Sequence, residues 1–231
     1  MYHINEIFVS LQGEGYWTGT PMVFLRFAGC NLRCPFCDTA HTSPSTPMTL
    51  EELLKAVAEI SPLTPFGRND NVVSTSVISS GVEKSPIRRI CITGGEPGLQ
   101  VDKALVEGLH AAGFTIHIET NGTRPLPSGI DWVTLSPKSD FVPSVIPSEA
   151  KESPSASPAS VILPRADELK LVFTGANNPE PWLEFPADHH FLQPCYDAAA
   201  GTSNSAETVA YIVSHPSWRL SLQTHRLLGL R

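Results

Sequence analysis

Met22-Val23-Phe24-Leu25-Arg26-Phe27-Ala28-Gly29-Cys30-Asn31-Leu32-Arg33-Cys34-Pro35-Phe36-Cys37 reads as an apolar β-strand, Met22 to Ala28, that runs directly into a loop of closely spaced cysteines. The spacing Cys30-x3-Cys34-x2-Cys37 places three thiolates where each can take one iron of a cubane and leave the fourth iron open. Soft sulfur ligands select an iron–sulfur cluster or zinc. A zinc site would need a fourth ligand, for which His41, Cys91 and Cys195 are available. The chain has five cysteines in all, an odd number with too local a spacing for a disulfide framework, so clustered thiols in a reducing compartment point to metal.

Outward from that loop the pattern alternates helix and strand. Thr49 and Glu52 make a capping box for a helix over Leu50 to Ile60, with Leu53, Leu54, Val57 and Ile60 as its apolar stripe. A strand from Arg89 to Thr93 leads into the turn Gly94-Gly95-Glu96-Pro97, and a helix from Val101 to Ala112 ends at Gly113. Strands follow at Phe114 to Glu119, Trp132 to Leu135, Leu169 to Phe173 and Phe191 to Gln193, then a helix near Ala206 to Ser214 and a closing strand from Arg219 to Gln223. Such alternation implies an α/β fold on a mainly parallel sheet, open or curled into part of a barrel. The 231 residues with 41% apolar content fit one domain.

Two stretches break the pattern, residues 61–86 and 140–165, where Ser, Pro, Gly and Asn take over. They read as loop inserts, and Ser76 to Pro86 matches Ser144 to Pro154 at six of eleven positions, as two copies of one inert element would. A net charge of −7 without a basic stripe excludes nucleic acid as a direct ligand. No apolar run approaches the roughly 20 residues needed to span a bilayer, and the start at Met1 to Glu6 lacks a signal-type leader, so a cytoplasmic location is expected.

Polar residues gather at the strand ends: the cysteines, Thr93 to Pro97, Glu119 to Gly122, Ser136 to Lys138 and Gln193 to Cys195. The carboxyl ends of parallel strands are where α/β folds bind ligands. Arg26 shares a face with Phe24 and Ala28 inside an apolar strand, so its charge needs an anionic partner: a bound carboxylate held bidentately, or an acidic side chain in a structural ion pair.

The cysteine spacing, with Phe36 at the usual aromatic position, resembles the signature of the radical S-adenosylmethionine superfamily. Leu11-Gln12-Gly13-Glu14-Gly15, Phe24 to Cys34, Cys37-Asp38-Thr39, Thr93 to Gln100, Ile118 to Thr123 and Ser221 to Arg226 together resemble its 7-carboxy-7-deazaguanine synthase family over most of the chain outside the inserts. The resemblance implies an incomplete, modified (β/α)6 barrel, commonly a homodimer. It implies a carbon–nitrogen lyase that contracts the ring of 6-carboxy-5,6,7,8-tetrahydropterin to 7-carboxy-7-deazaguanine with loss of ammonia, in queuosine and 7-deazapurine biosynthesis. An electron donor such as a flavodoxin or ferredoxin would serve it.

Carried onto this sequence, Cys30, Cys34 and Cys37 would hold a 4Fe–4S cluster, and Thr39 would ligate Mg2+. S-Adenosylmethionine would meet Phe36, Cys37, Asp38, Gly95, Glu96, Ser136, Pro137, Lys138, Gln193, Pro194 and Cys195. The pterin would meet Leu11, Gln12, Gly13, Glu14, Arg26, Thr93, Glu119, His225 and the terminal carboxylate of Arg231. No side chain is assigned as acid or base, because the radical arises at the cluster. Two readings compete: a glycyl-radical activating enzyme, which shares the cysteine spacing but would act on a protein, and a noncatalytic iron–sulfur or zinc protein.

Overall fold

Tyr2–Leu11 (β1) and Pro21–Phe27 (β2) pair antiparallel, with Glu6 opposite Arg26 and Phe8 opposite Phe24. Thr46–Met48 (β3) adds antiparallel to the outer side of β1. The computed structural model describes residues 1–37, 45–60, 87–138 and 161–230. It continues with Leu50–Glu59 (α1), Arg89–Gly94 (β4), Lys103–Ala111 (α2), Thr115–Thr120 (β5), Trp132–Leu135 (β6), Ala166–Phe173 (β7) and Ala187–Pro194 (β8). A short hairpin of Tyr196–Asp197 (β9) and Thr202–Ser203 (β10) precedes Ser205–Ser214 (α3), Arg219–Leu220 (β11) and Thr224–Leu227 (α4).

The main sheet runs β11-β8-β7-β6-β5-β4-β2-β1-β3. Every neighbouring pair from β2 to β11 is parallel. Strands β2, β4, β5, β6, β7 and β8 lie side by side in chain order, the incomplete six-stranded α/β barrel that the sequence implies, flanked by β1 and β3 at one edge and β11 at the other.

Period-two alternation gives this sheet two different faces. Val23, Leu25, Phe27, Ile90, Ile92, Ile116 and Ile118 point outward and are buried under Leu53 and Val57 of α1 and Leu105, Val106 and Leu109 of α2. Leu135, Leu169, Leu171, Phe173 and Leu192 continue that face into a second core with Trp182, Phe185 and Trp218. The alternate residues carry the polar and aromatic groups: Phe24 and Arg26 on β2, Cys91 and Thr93 on β4, His117 and Glu119 on β5, Glu168 and Lys170 on β7, and Gln193 on β8. The apolar face makes the fold, and its reverse is left for chemistry.

Helix ends follow their caps. Thr49 Oγ1 accepts from the Glu52 amide at 3.2 Å while the Glu52 carboxylate accepts from the Thr49 amide at 2.7 Å, the capping box expected for α1. α2 begins later than the sequence suggests, because Asp102 accepts from the Leu105 amide at 2.9 Å and thereby becomes the N-cap. The expected closing strand stops at Leu220, since the Ser221 hydroxyl turns inward to donate to Gln193 Oε1 at 3.1 Å. β1 escapes the sequence pattern altogether: a register shift between Ile4 and Glu6 interrupts its alternation.

The insert at residues 61–86, and the repeat shared by 76–86 and 144–154, lie outside the described residues. Of the second insert, 161–165 is described and belongs to the fold: Val161 and Leu163 pack on the second core, and the Ile162 amide donates to Gly122 O at 2.9 Å.

Candidate active site

One cavity of about 220 Å³ opens among the carboxyl ends of the strands. Cys30, Cys34, Phe36 and Cys37 line it together with Leu11, Gln12, Gly13, Glu14, Arg26, Thr93, Gly95, Glu119, Ser136, Lys138, Gln193, Pro194 and His225. Segments far apart in the sequence therefore converge as expected. Pro137 and Cys195 lie outside the lining, and Cys195 borders a separate shallow depression with Asp197 and Asn204. Asp38, Thr39, His41 and Arg231 fall outside the described residues.

The cysteine loop is set by backbone. β2 ends at Phe27, the Ala28 amide donates to His3 O at 2.9 Å, and the Cys37 amide donates to Cys34 O at 3.1 Å. The turn after β4 packs beneath it: the Gly95 amide donates to Phe27 O at 3.1 Å and the Glu96 amide to Gly29 O at 2.9 Å. A Cβ at Gly95 would lie 1.9 Å from Gly29 O and 3.0 Å from the Cys30 Cβ, so only glycine permits this approach.

None of the three cysteines is in a disulfide. Burial pushes the Cys30 and Cys34 thiols up, and the Lys138 ammonium opposes that rise at both. Among the described residues no three His, Cys, Asp or Glu side chains converge on a single ion position. Three thiols bordering one cavity can supply one thiolate each to three irons of a cluster. Of the other candidate zinc ligands, Cys91 is buried against Glu119, its Sγ 3.8 Å from Oε1.

Glu96 braces the loop rather than facing the cavity. Fully buried, it accepts from Thr120 Oγ1 at 2.7 Å, the Asn121 amide at 2.8 Å and the Gly98 amide at 2.8 Å. The Asn121 amide nitrogen of the side chain then donates to Asn31 Oδ1 at 3.1 Å, next to Cys30. Lys138 is half-buried and donates to Ser136 O at 2.9 Å and to the Ser136 hydroxyl. Burial is the first cause of its lowered pKa.

Deeper in the cavity, Lys170 is 3% exposed and bonds two carboxylates, Glu119 Oε2 at 3.0 Å and Glu14. Amide donors complete the floor: Gln12 Nε2 to Glu119 Oε1 at 2.9 Å, Gln193 Nε2 to Glu14 Oε1 at 3.2 Å, and Gln223 Nε2 to Glu14 Oε1 at 2.9 Å. Burial alone would raise the Glu119 pKa, but the Lys170 charge and hydrogen bond, with the Gln12 amide, outweigh it and hold the carboxyl below its ordinary value.

On the wall, Arg26 pairs with Glu6, NH1 to Oε2 at 3.0 Å, and lies 4.9 Å over the Phe8 ring, itself stacked on Phe24 at 5.1 Å. The structural ion pair left open by the sequence thus forms. Even so the side chain keeps 32% exposure and borders the cavity. The carboxyl-terminal segment docks where Thr224 donates through its amide to Gly13 O at 2.9 Å. A Cβ at Gly13 would come within 2.1 Å of His225 Nδ1, so the missing side chain is what admits the imidazole.

The far end of the lumen is closed by rings. Tyr16 stacks on His189 at 4.4 Å and Trp132 at 5.1 Å, while Trp17 meets His117 and Trp132 edge-on at 5.1 and 5.4 Å. Glu168 ties this cap to the sheet by accepting from the Tyr16 amide at 2.9 Å.

Sequence reasoning missed Lys170, Phe8, Asn121 and Tyr196 among the lining residues. For Lys170 the signal was present: a lysine between Leu169 and Leu171 in a strand buried on both faces needs an anion as much as Arg26 does.

Comparison with known proteins agrees with this geometry. The Radical SAM superfamily profile matches residues 25–140. The 7-carboxy-7-deazaguanine synthase of Bacteroides thetaiotaomicron is 44% identical over 231 residues, covering 100% of each chain. That of Bordetella pertussis is 37% identical over 241 residues, covering 99% of each. The crystal structure of QueE from Escherichia coli superposes with a TM-score of 0.65 at 26% identity, covering 96% of this chain and 93% of that one.

Proposed function

Given that the chain belongs to the 7-carboxy-7-deazaguanine synthase family of radical S-adenosylmethionine enzymes, we propose that it contracts 6-carboxy-5,6,7,8-tetrahydropterin to 7-carboxy-7-deazaguanine with release of ammonia, a step of 7-deazapurine biosynthesis. The observation that carries this reading is one cavity that joins three cysteine thiols to an acidic floor and an arginine wall. The glycyl-radical activating reading, which needs access for a protein substrate, fits neither the relatives nor a chamber of this size.

Cys30, Cys34 and Cys37 would hold the 4Fe–4S cluster, and Gly95, Ser136, Lys138, Gln193 and Pro194 border the space for S-adenosylmethionine. When bound, the pair supplies a 5'-deoxyadenosyl radical. Everything else falls to the chain. Glu14 and Glu119 present carboxylate oxygens to the guanidine-like edge of the pterin, whose N–H groups they match. Arg26 takes the substrate carboxylate in exchange for Glu6, and His225 and Thr93 close the same ring. Phe8 and Phe24 offer an apolar wall to the flat heterocycle, and the aromatic cap keeps water from the floor.

We extend the proposal to Mg2+ at Thr39, which with waters and the substrate carboxylate would steer the rearrangement, to a homodimer, to a flavodoxin or ferredoxin as electron source, and to a cytoplasmic setting. No helix among the described residues is long and apolar enough to cross a membrane, which agrees with the last. The inserts at 61–86 and 140–160 are proposed to be dispensable.

The test is anaerobic turnover of the reconstituted protein with S-adenosylmethionine, Mg2+, reductant and the pterin, read by mass spectrometry. The deazaguanine acid is expected. Reductive cleavage to 5'-deoxyadenosine without that product would reject the substrate and keep the superfamily chemistry. No cleavage with an assembled cluster would favour a noncatalytic role.

A further inference from the structure

Burial pushes the Glu119 carboxyl toward its protonated form, yet it stands beside a second carboxylate, Glu14. Both are bonded to one cation. Lys170 projects from the middle of β7 into the lumen and reaches both Glu14, from the loop after β1, and Glu119, from the end of β5. The remaining hydrogen bonds to those oxygens among the described residues come from Gln12, Gln193, Gln223 and the Cys91 thiol, all neutral donors. Side-chain exposure is 4% for Lys170 against 14% and 21% for the two glutamates, so the cation sits behind and the acceptors stand in front.

We propose that Lys170 is a positioning residue that holds Glu14 and Glu119 side by side and keeps Glu119 an acceptor, so that the floor binds a ligand edge rich in N–H donors. The proposal rests on the substrate reading above and names the part of the site that selects the donor edge. Other charged or titratable groups around Lys170 are Glu168 on its own strand, Cys91 on β4, Arg26 on β2 and Lys138 beyond β6. Among the described residues, only Glu14 and Glu119 are bonded to it. Burial works against its charge, and the surrounding carboxylates more than reverse this, so Lys170 stays protonated throughout the working range. A neutral side chain in its place removes the charge and hydrogen bond that hold the Glu119 carboxyl below its ordinary value, and burial then drives Glu119 toward the protonated form, a donor that opposes the N–H groups it should receive.

The test is Lys170→Met in the holoenzyme, with Lys170→Arg as the charge-conserving control. For Lys170→Met the KM for the pterin is expected to rise about tenfold at pH 7 and to fall again as pH rises, with kcat at saturation changed less than about threefold. Difference infrared spectroscopy should show a protonated-carboxyl band at pH 7 that the unaltered protein lacks and that Lys170→Arg removes. An equal rise in KM at every pH, or no new carboxyl band, overturns the proposal. Should Lys170→Met fail to fold, the double variant Lys170→Met/Glu14→Gln keeps the net charge of the cluster and carries the infrared test on Glu119 alone. A band supports the proposal, and continued ionisation of Glu119 overturns it. If the unaltered enzyme does not saturate with the pterin, the substrate reading falls, and the infrared comparison still decides the role of Lys170.

Discussion

Replacing Glu96 by glutamine changes neither its size nor its shape, yet it should unsettle the cysteine loop. Three donors converge on the carboxylate: Thr120 Oγ1 and the Gly98 amide on Oε1, and the Asn121 amide on Oε2. Glutamine has one oxygen. If its NH2 group faces Asn121, two buried N–H donors confront each other. If it faces Thr120, that hydroxyl can rotate to accept, but the Gly98 amide loses its partner. Either way one amide N–H is left unsatisfied and charge assistance is lost, for a total of about 2–4 kcal/mol. Urea unfolding of the reduced protein, followed by far-ultraviolet circular dichroism, should show that loss as a lower midpoint at unchanged slope. Because Asn121 also holds Asn31 beside Cys30, cluster loading should fall in parallel. A loss below about 0.5 kcal/mol would refute the convergence of three donors on Glu96.

Gly95→Ala places a methyl group 1.9 Å from Gly29 O, where only backbone can yield; iron and sulfide content after reconstitution should fall below half of the unaltered level while helix content holds, and full loading would contradict the close approach. Glu168 and His117 make opposite contributions to stability against pH. Burial, the first cause at Glu168, raises its pKa from 4.5 to about 7, so its contribution falls as pH rises through that window. Burial lowers His117 from 6.5 to about 4, so its contribution is complete above 6.5 and is lost as pH falls toward 4. Unfolding free energy of the unaltered protein should be nearly flat where the two windows overlap, from about 4.5 to 6.5, and Glu168→Gln should expose a rise with pH there of up to about 1 kcal/mol per unit, screening allowed for; a flat curve in the variant refutes the pairing. Arg26→Gln should raise the pterin KM by about tenfold to a hundredfold, whereas Glu6→Gln, which frees Arg26 from its ion pair, should lower it; opposite or equal effects would remove Arg26 from the carboxylate's path.

Much of this was readable before any coordinates, where local pattern and tertiary structure agree. The strand leading into Cys30, the capping box at Thr49 and the glycine stop at Gly113 are local signals, and the structure keeps them. The site was legible for a different reason: polar residues at strand ends had no local explanation and so pointed to a ligand. What failed did so for physical causes. β1 lost its alternation at the register shift near Ile4 and Glu6. The amino-terminal half of β8 carries Asp188, His189 and His190, which look like a loop until Tyr16 is seen to stack on His189. Lys170 carried a signal of its own as a cation in an apolar strand, but its partners did not, because nothing in the sequence shows that Glu14 and Glu119 arrive from distant segments to meet it. Glu96 was read as a ligand contact because its motif touches the site, whereas its side chain turns back to bind three donors of its own chain.

The rings of Tyr16 and His117 stand two residues from Glu14 and Glu119 on the same stretches of chain. The aromatic cluster and the acidic floor are thereby fastened together by two short runs of backbone, so a substitution that loosens the rings also moves the carboxylates.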